Sequence, residues 1–160
     1  MKLKIIAIIV LLFIESLSGS QDRKGLYVGL GAGYRSHTAL ILPIEIGYGV
    51  TNDLLVHLSH SSSISLITES LSGLGVSYYM NDKVYLQAIA GNSYYGFNEY
   101  SFDAGLGFSL GLGLIASKRT SIELSYMHLD FDNAKTNGEK TNNIEEPLDM
   151  FSVAFKYRLF

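Results

Sequence analysis

Alternation is unbroken from Phe102 to Leu114. Phe102, Ala104, Leu106, Phe108, Leu110, Leu112 and Leu114 fall on one side; Asp103, Gly105, Gly107, Ser109, Gly111 and Gly113 fall on the other. A period of two marks a β-strand whose two faces meet different surroundings. Here one face is wholly apolar and the other almost free of side chains. That combination fits lipid on one side and the crowded polar interior of a barrel on the other.

The same reading draws eight strands, over residues 25–36, 38–50, 53–62, 67–80, 83–94, 101–116, 119–130 and 148–160. The outward face of the first is Leu26, Val28, Leu30 and Ala32, opposite Tyr27, Gly29, Gly31 and Gly33. The second offers Leu40, Leu42, Ile44, Ile46 and Tyr48, and the last Phe151, Val153, Phe155, Tyr157 and Leu159. The fourth, fifth and seventh carry Leu74, Val76 and Tyr78, then Val84, Leu86 and Ala88, then Ile122, Leu124 and Tyr126. Only the third is poor, with Leu54, Val56 and Leu58 followed by polar residues. The fold class predicted is all-β, an eight-stranded antiparallel transmembrane β-barrel with an up-and-down meander. A soluble barrel with the apolar face inward is the rival; it would leave the glycine faces of strands one and six in water, with no side chains to pack.

Connection lengths carry an independent signal. Thr51-Asn52, Asn81-Asp82 and Ser117-Lys118 form tight turns, whereas the connections after strands three, five and seven read as longer. The longest runs from about Asp130 to Pro147; the one at Ser36-His37 is short and breaks the rhythm. Outer-membrane barrels have short periplasmic turns and longer external loops, so both termini are expected in the periplasm.

The first twenty residues stand apart. Lys2 and Lys4 precede an apolar run from Ile5 to Ile14 and a small-residue end at Ser18 and Ser20. That layout is a secretory signal, too short to span a bilayer as a helix. The expected division is a signal peptide at 1–20 and an outer-membrane barrel domain at 21–160. Without Lys2, Lys4 and Glu15 the remainder has 10 basic against 14 acidic side chains. No basic stripe appears, which argues against nucleic acid as a partner. The chain has no cysteine, so disulfides and a lipoprotein anchor are excluded.

On this register Tyr48, Tyr78 and Tyr157 face lipid near the periplasmic ends, and Tyr34, Tyr94 and Tyr126 near the outer ends. They would form the two aromatic girdles of a membrane barrel. Arg35, Glu45, Glu69, Asp103, Glu123, Lys156 and Arg158 point inward by parity. A charge in a narrow barrel is costly unless paired, so a lumen network is expected, with Glu123 near Lys156 or Arg158. A gated path for small solutes is the functional alternative.

Two stretches carry a resemblance. Residues 122–133, Ile-Glu-Leu-Ser-Tyr-Met-His-Leu-Asp-Phe-Asp-Asn, and the ending Phe155-Lys-Tyr-Arg-Leu-Phe160 are similar to the last two strands of small outer-membrane barrels of the opacity/OmpA-like and OmpW-like groups. The resemblance implies outer-membrane lipid and lipopolysaccharide as surroundings, and the barrel-assembly machinery as a partner reading the terminal Phe160. Arg158 stands where those groups place an aromatic residue, and Phe160 falls off the outward series. An OmpW-like passage for small hydrophobic molecules would need a lateral opening or an apolar lumen at strands three and four, where the pattern is poorest.

The chain also bears on lipid A 3-O-deacylases of the PagL type, which carry His-x-Ser-Asn on a late strand and a downstream acid. His128 stands where that histidine would, but residue 130 is Asp130 and not serine. His57-Leu58-Ser59 has the spacing, on the third strand and facing the lumen. His57 and His60 lie on opposite faces and make a poor metal pair; His128, Asp130 and Asp132 share a face and read as solvated loop residues. The expectation is a chain that is not an enzyme and needs no metal or cofactor. Its role would be structural or surface-interacting through external loops, whose partner the residues do not name.

Overall fold

In the computed structural model the described residues are 22–36, 39–64, 67–97, 100–130, 132–136, 139–140 and 147–159. Side-chain positions are described for all of these except 39, 67–68, 95, 97, 100–104, 132–136 and 139–140. The expected signal peptide at 1–20 and the terminal Phe160 lie outside them.

Eight long strands form one closed sheet: β1 (Gly25–Arg35), β2 (Ala39–Gly49), β3 (Leu54–Ile64), β4 (Ile67–Tyr79), β5 (Val84–Phe97), β6 (Tyr100–Ile115), β7 (Thr120–Leu129) and β10 (Leu148–Arg158). Each pairs antiparallel with its neighbour in the wall, and β1 zips to β10 from Gly29↔Arg158 to Arg35↔Ser152, which closes the ring of eight. This is an all-antiparallel eight-stranded meander barrel.

Alternation decides which face looks out. Leu26, Leu30, Ile46, Leu74, Leu110, Leu124 and Phe155 are all exposed on the outer wall, while their sequence neighbours Tyr27, Glu45, Ser109, Glu123 and Lys156 are buried in the lumen. Such an apolar outer surface would be untenable in water and is the expected surface of a lipid-embedded barrel. The glycines of β6 matter on the inside. A Cβ at Gly113 would overlap the Tyr85 ring, and one at Gly111 would lie 3.1 Å from the Glu123 carboxyl carbon. Bare backbone on β6 thus makes room for large side chains from its neighbours.

Two expectations are corrected. The connections after the third and fifth strands are not long: only residues 65–66 separate β3 from β4, and 98–99 separate β5 from β6. Apolar alternation reports burial, but ladder hydrogen bonds continue where both faces are polar, as along His60-Ser61-Ser62-Ser63. The long segment after the seventh strand also contains two further strands, β8 (Asp132–Thr136) and β9 (Glu139–Lys140). Sixteen-residue β6 outruns β7, and β8 takes up its free edge from Tyr100↔Thr136 to Asp103↔Asp132. The β3–β4 ladder is unbroken from Leu54↔Tyr78 to Ser62↔Ser70, so there is no lateral opening along it.

Candidate functional site

The lumen holds the densest chemistry, and Lys156 is its hub. From β10 its ammonium donates to Glu45 Oε1 on β2 at 2.6 Å, to Glu123 Oε2 on β7 at 2.7 Å and to Gln87 Oε1 on β5 at 3.2 Å. Each carboxylate has a second tyrosine donor: Tyr27 to Glu45 at 2.8 Å and Tyr85 to Glu123 at 2.9 Å. Gln87 Nε2 donates to Glu45 Oε1 at 2.9 Å, and His57 and Ser77 complete the cluster through a 3.2 Å bond. Seven of the eight barrel strands contribute a side chain to this knot. The eighth, β6, contributes the space at Gly111 and Gly113.

One lysine faces two carboxylates, so the cluster depends on its neutral donors as much as on its cation. A buried ion pair is tolerated when its remaining lone pairs are satisfied, and both tyrosines and Gln87 serve that end. Nearer the open end of the barrel a second pair is fully buried. Arg35 Nη1 reaches Glu69 Oε2 at 3.2 Å and Nη2 donates to Ser61 Oγ at 2.6 Å. Between the two knots, a small cavity lined by Ser59, Ser109, Ser125 and Ser152 has room for a single water. Beside it Leu71, Ile89, Met127, Leu129 and Met150 pack into an apolar cluster.

The turn end is closed differently. The Arg23 guanidinium lies 4.3 Å from the Tyr79 ring centroid and donates to Asp82 at 3.0 Å and to the Asn52 carbonyl at 3.2 Å. Arg158 sits there too, 5.5 Å from the Tyr27 ring centroid, so it is Lys156 and not Arg158 that meets Glu123. Asp103 lies in β6 opposite Asp132, with its side chain outside the described set. The six tyrosines expected in girdles all lie on the outer wall: Tyr48, Tyr78 and Tyr157 toward the turn end, Tyr34, Tyr94 and Tyr126 toward the open end.

His128 has a partner the sequence did not reveal. Register places Asp149 of β10 opposite it, and the Asp149 carboxylate accepts from His128 Nδ1 at 2.7 Å and from Tyr126 at 2.6 Å. His128 also stacks on Phe108, with ring centroids 5.2 Å apart. A carboxylate-oriented imidazole can accept a proton, but here Asp130 stands where a nucleophilic hydroxyl would be needed. His57 and His60 point to opposite faces. Among the described residues no group of three or more His, Asp or Glu is placed to hold a metal ion.

A closed meander of eight strands, apolar outside and tied by polar side chains inside, defines the class of small transmembrane β-barrels. Solved structures share that fold. Neisserial surface protein A is 15% identical with a TM-score of 0.56, over 84% of this chain and 96% of that one. The N-terminal β-barrel domain of Pseudomonas aeruginosa OprF is 16% identical with a TM-score of 0.53, over 85% and 99%. Ail, the attachment invasion locus protein of Yersinia pestis, solved with the heparin analogue sucrose octasulfate, is 12% identical with a TM-score of 0.54, over 84% and 95%. No protein-family model and no curated protein sequence matches the chain.

Proposed function

We propose that the chain is a bacterial outer-membrane barrel with a filled lumen, which acts as a structural or surface-interacting protein through its external end. Residues 1–20 would direct export and be removed, outer-membrane lipid and lipopolysaccharide would surround the wall, and the barrel-assembly machinery would insert it. The six wall tyrosines would then lie at the two headgroup layers. The observation that carries this reading is the Lys156 knot, in which seven strands tie side chains across the lumen. Eight strands enclose space only for side chains or one small ligand, and here charged groups occupy it. Purified protein in a planar bilayer should give no steady single-channel current, while unboiled and boiled samples should migrate differently on gels. Stable, sizeable channels would refute the filled lumen.

A second reading has one observation in its favour. The Asp149–His128 pair supplies the base and its orienting acid for acyl transfer at the outer wall. Mass spectrometry of lipid A from cells with and without this protein decides it. An unchanged acylation pattern is expected, and loss of a single acyl chain on expression would reverse the choice.

A further inference from the structure

A second cavity opens at the turn end of the barrel. Its floor is Glu45, Gln87 and Lys156 of the inner knot. Its mouth is formed by Arg158, the last residue of β10, with Lys118 and Arg119 from the turn between β6 and β7. Charge is spread unevenly along it. Lys156 is committed to Glu45 and Glu123 at the floor, so the mouth carries three cations, and among the described residues that line the cavity no acidic side chain stands beside them. Asp82, at the same end, is held by Arg23 at 3.0 Å.

The walls add a neutral donor. Tyr27 and Tyr85 direct their hydroxyls to Glu45 and Glu123. Tyr79 also lines the cavity, and its ring is held by the Arg23 guanidinium, 4.3 Å from the centroid, and by the Tyr85 ring, with centroids 5.2 Å apart. No hydrogen bond joins its hydroxyl to the described residues, so packing fixes the ring and leaves the O–H to a ligand. Arg158 lies 5.5 Å from the Tyr27 ring centroid, a contact that orients the guanidinium without cancelling its charge. Arg119 Nη1 also donates to the Tyr157 hydroxyl at 3.3 Å, again a neutral partner. Guanidinium forks, an ammonium and a phenolic O–H around one small opening match the several oxygens of a phosphate, and three cations favour a dianion over a carboxylate. The opening lies inside the ring of strand ends, so a soluble phosphate reaches it along the barrel axis, whereas a lipid headgroup lies outside the wall.

We propose that the turn-end cavity binds a phosphate group, free or on a small soluble ester, through Arg158, Lys118, Arg119 and the Tyr79 hydroxyl. The site lies outside the inner knot and requires no passage through it, so it does not depend on whether the lumen conducts. The folded full-length protein in dodecyl maltoside micelles, which contain no phosphorus, is titrated into inorganic phosphate at constant ionic strength. Binding is followed by the phosphorus NMR linewidth. Saturable broadening at one phosphate per chain is expected. Arg158→Gln should raise Kd about tenfold, the loss of one charge-assisted hydrogen bond, and Tyr79→Phe by a smaller factor. Lys24→Gln and Lys83→Gln make the same charge change at the same end outside the cavity and should leave Kd within about twofold. Heat-modifiable migration checks the folding of each variant, and Tyr79→Phe carries the comparison if Arg158→Gln fails to fold. Broadening without saturation, equal weakening by the two control substitutions, or a Kd unmoved by Tyr79→Phe overturns the site. Phosphatidic acid doped into the same micelles separates the two sources of phosphate. Unchanged binding of the free ion supports the soluble ligand, and displacement that is lost in Arg158→Gln would overturn it in favour of a headgroup.

Discussion

Replacing Lys156 with methionine preserves side-chain length while removing the only cation of the inner knot. Glu45 and Glu123, 3% and 5% exposed, then face each other with tyrosine and glutamine donors alone. Breaking a buried pair by removing one partner costs about 3–5 kcal/mol, because an uncompensated charge remains buried. Two carboxylates share this lysine, so the loss should fall in the upper part of that range. With no tryptophan in the chain, unfolding in urea is best followed in phospholipid vesicles by far-UV circular dichroism and by the gel shift of the folded form. Adding Glu45→Gln and Glu123→Gln to Lys156→Met should recover most of the loss, since an all-neutral knot has no charge to strand. A loss within about 1 kcal/mol for Lys156→Met, the scale of an exposed pair, would refute the reasoning. So would a triple variant no more stable than the single one.

Gly113→Ala should destabilise the barrel by about 1–3 kcal/mol by displacing the Tyr85 ring. Combined with Tyr85→Leu it should cost less than the sum of the two, measurable as a double-mutant cycle in the same urea titration. Leu110→Arg, on the outer wall, should cost about 2–4 kcal/mol in vesicles if that position lies at mid-bilayer, and near zero if the wall faces water. Arg35→Met with Glu69→Gln removes the charge of the outer knot and should leave the bilayer non-conducting while Lys156 stays in place. A new steady current would locate the barrier at Arg35 instead.

The wall was readable because parity is local: Leu110 and Gly111 are adjacent and face opposite ways in any strand. The lumen was readable only as a set of inward charges. Which of them meet depends on pairs far apart in sequence, such as Lys156 with Glu45 and Arg35 with Glu69, and no local pattern encodes reach across a barrel. Tyr27, Tyr85, Gln87, His57 and Ser77 shared the inward parity and could have been added on that ground alone. Asp149 was hidden for a different reason. Its partner His128 is fixed by the β7–β10 register, and the length of chain between those strands keeps that register from being counted along the sequence. The β8 extension escaped because its composition is that of a loop, while its ladder is imposed by the surplus length of β6.

Lys156 lies on β10, the last strand of the sequence, while both carboxylates it serves lie on strands that precede it. A chain that has laid down β1 to β7 therefore holds Glu45 and Glu123 with no lysine between them. Docking of β10 along β1 and β7 closes the wall and delivers the missing cation in the same event. A sheet open at that seam would keep a wet, negative interior and could not settle in hydrocarbon. Charge balance of the inner knot and closure of the wall are thus completed by one and the same strand.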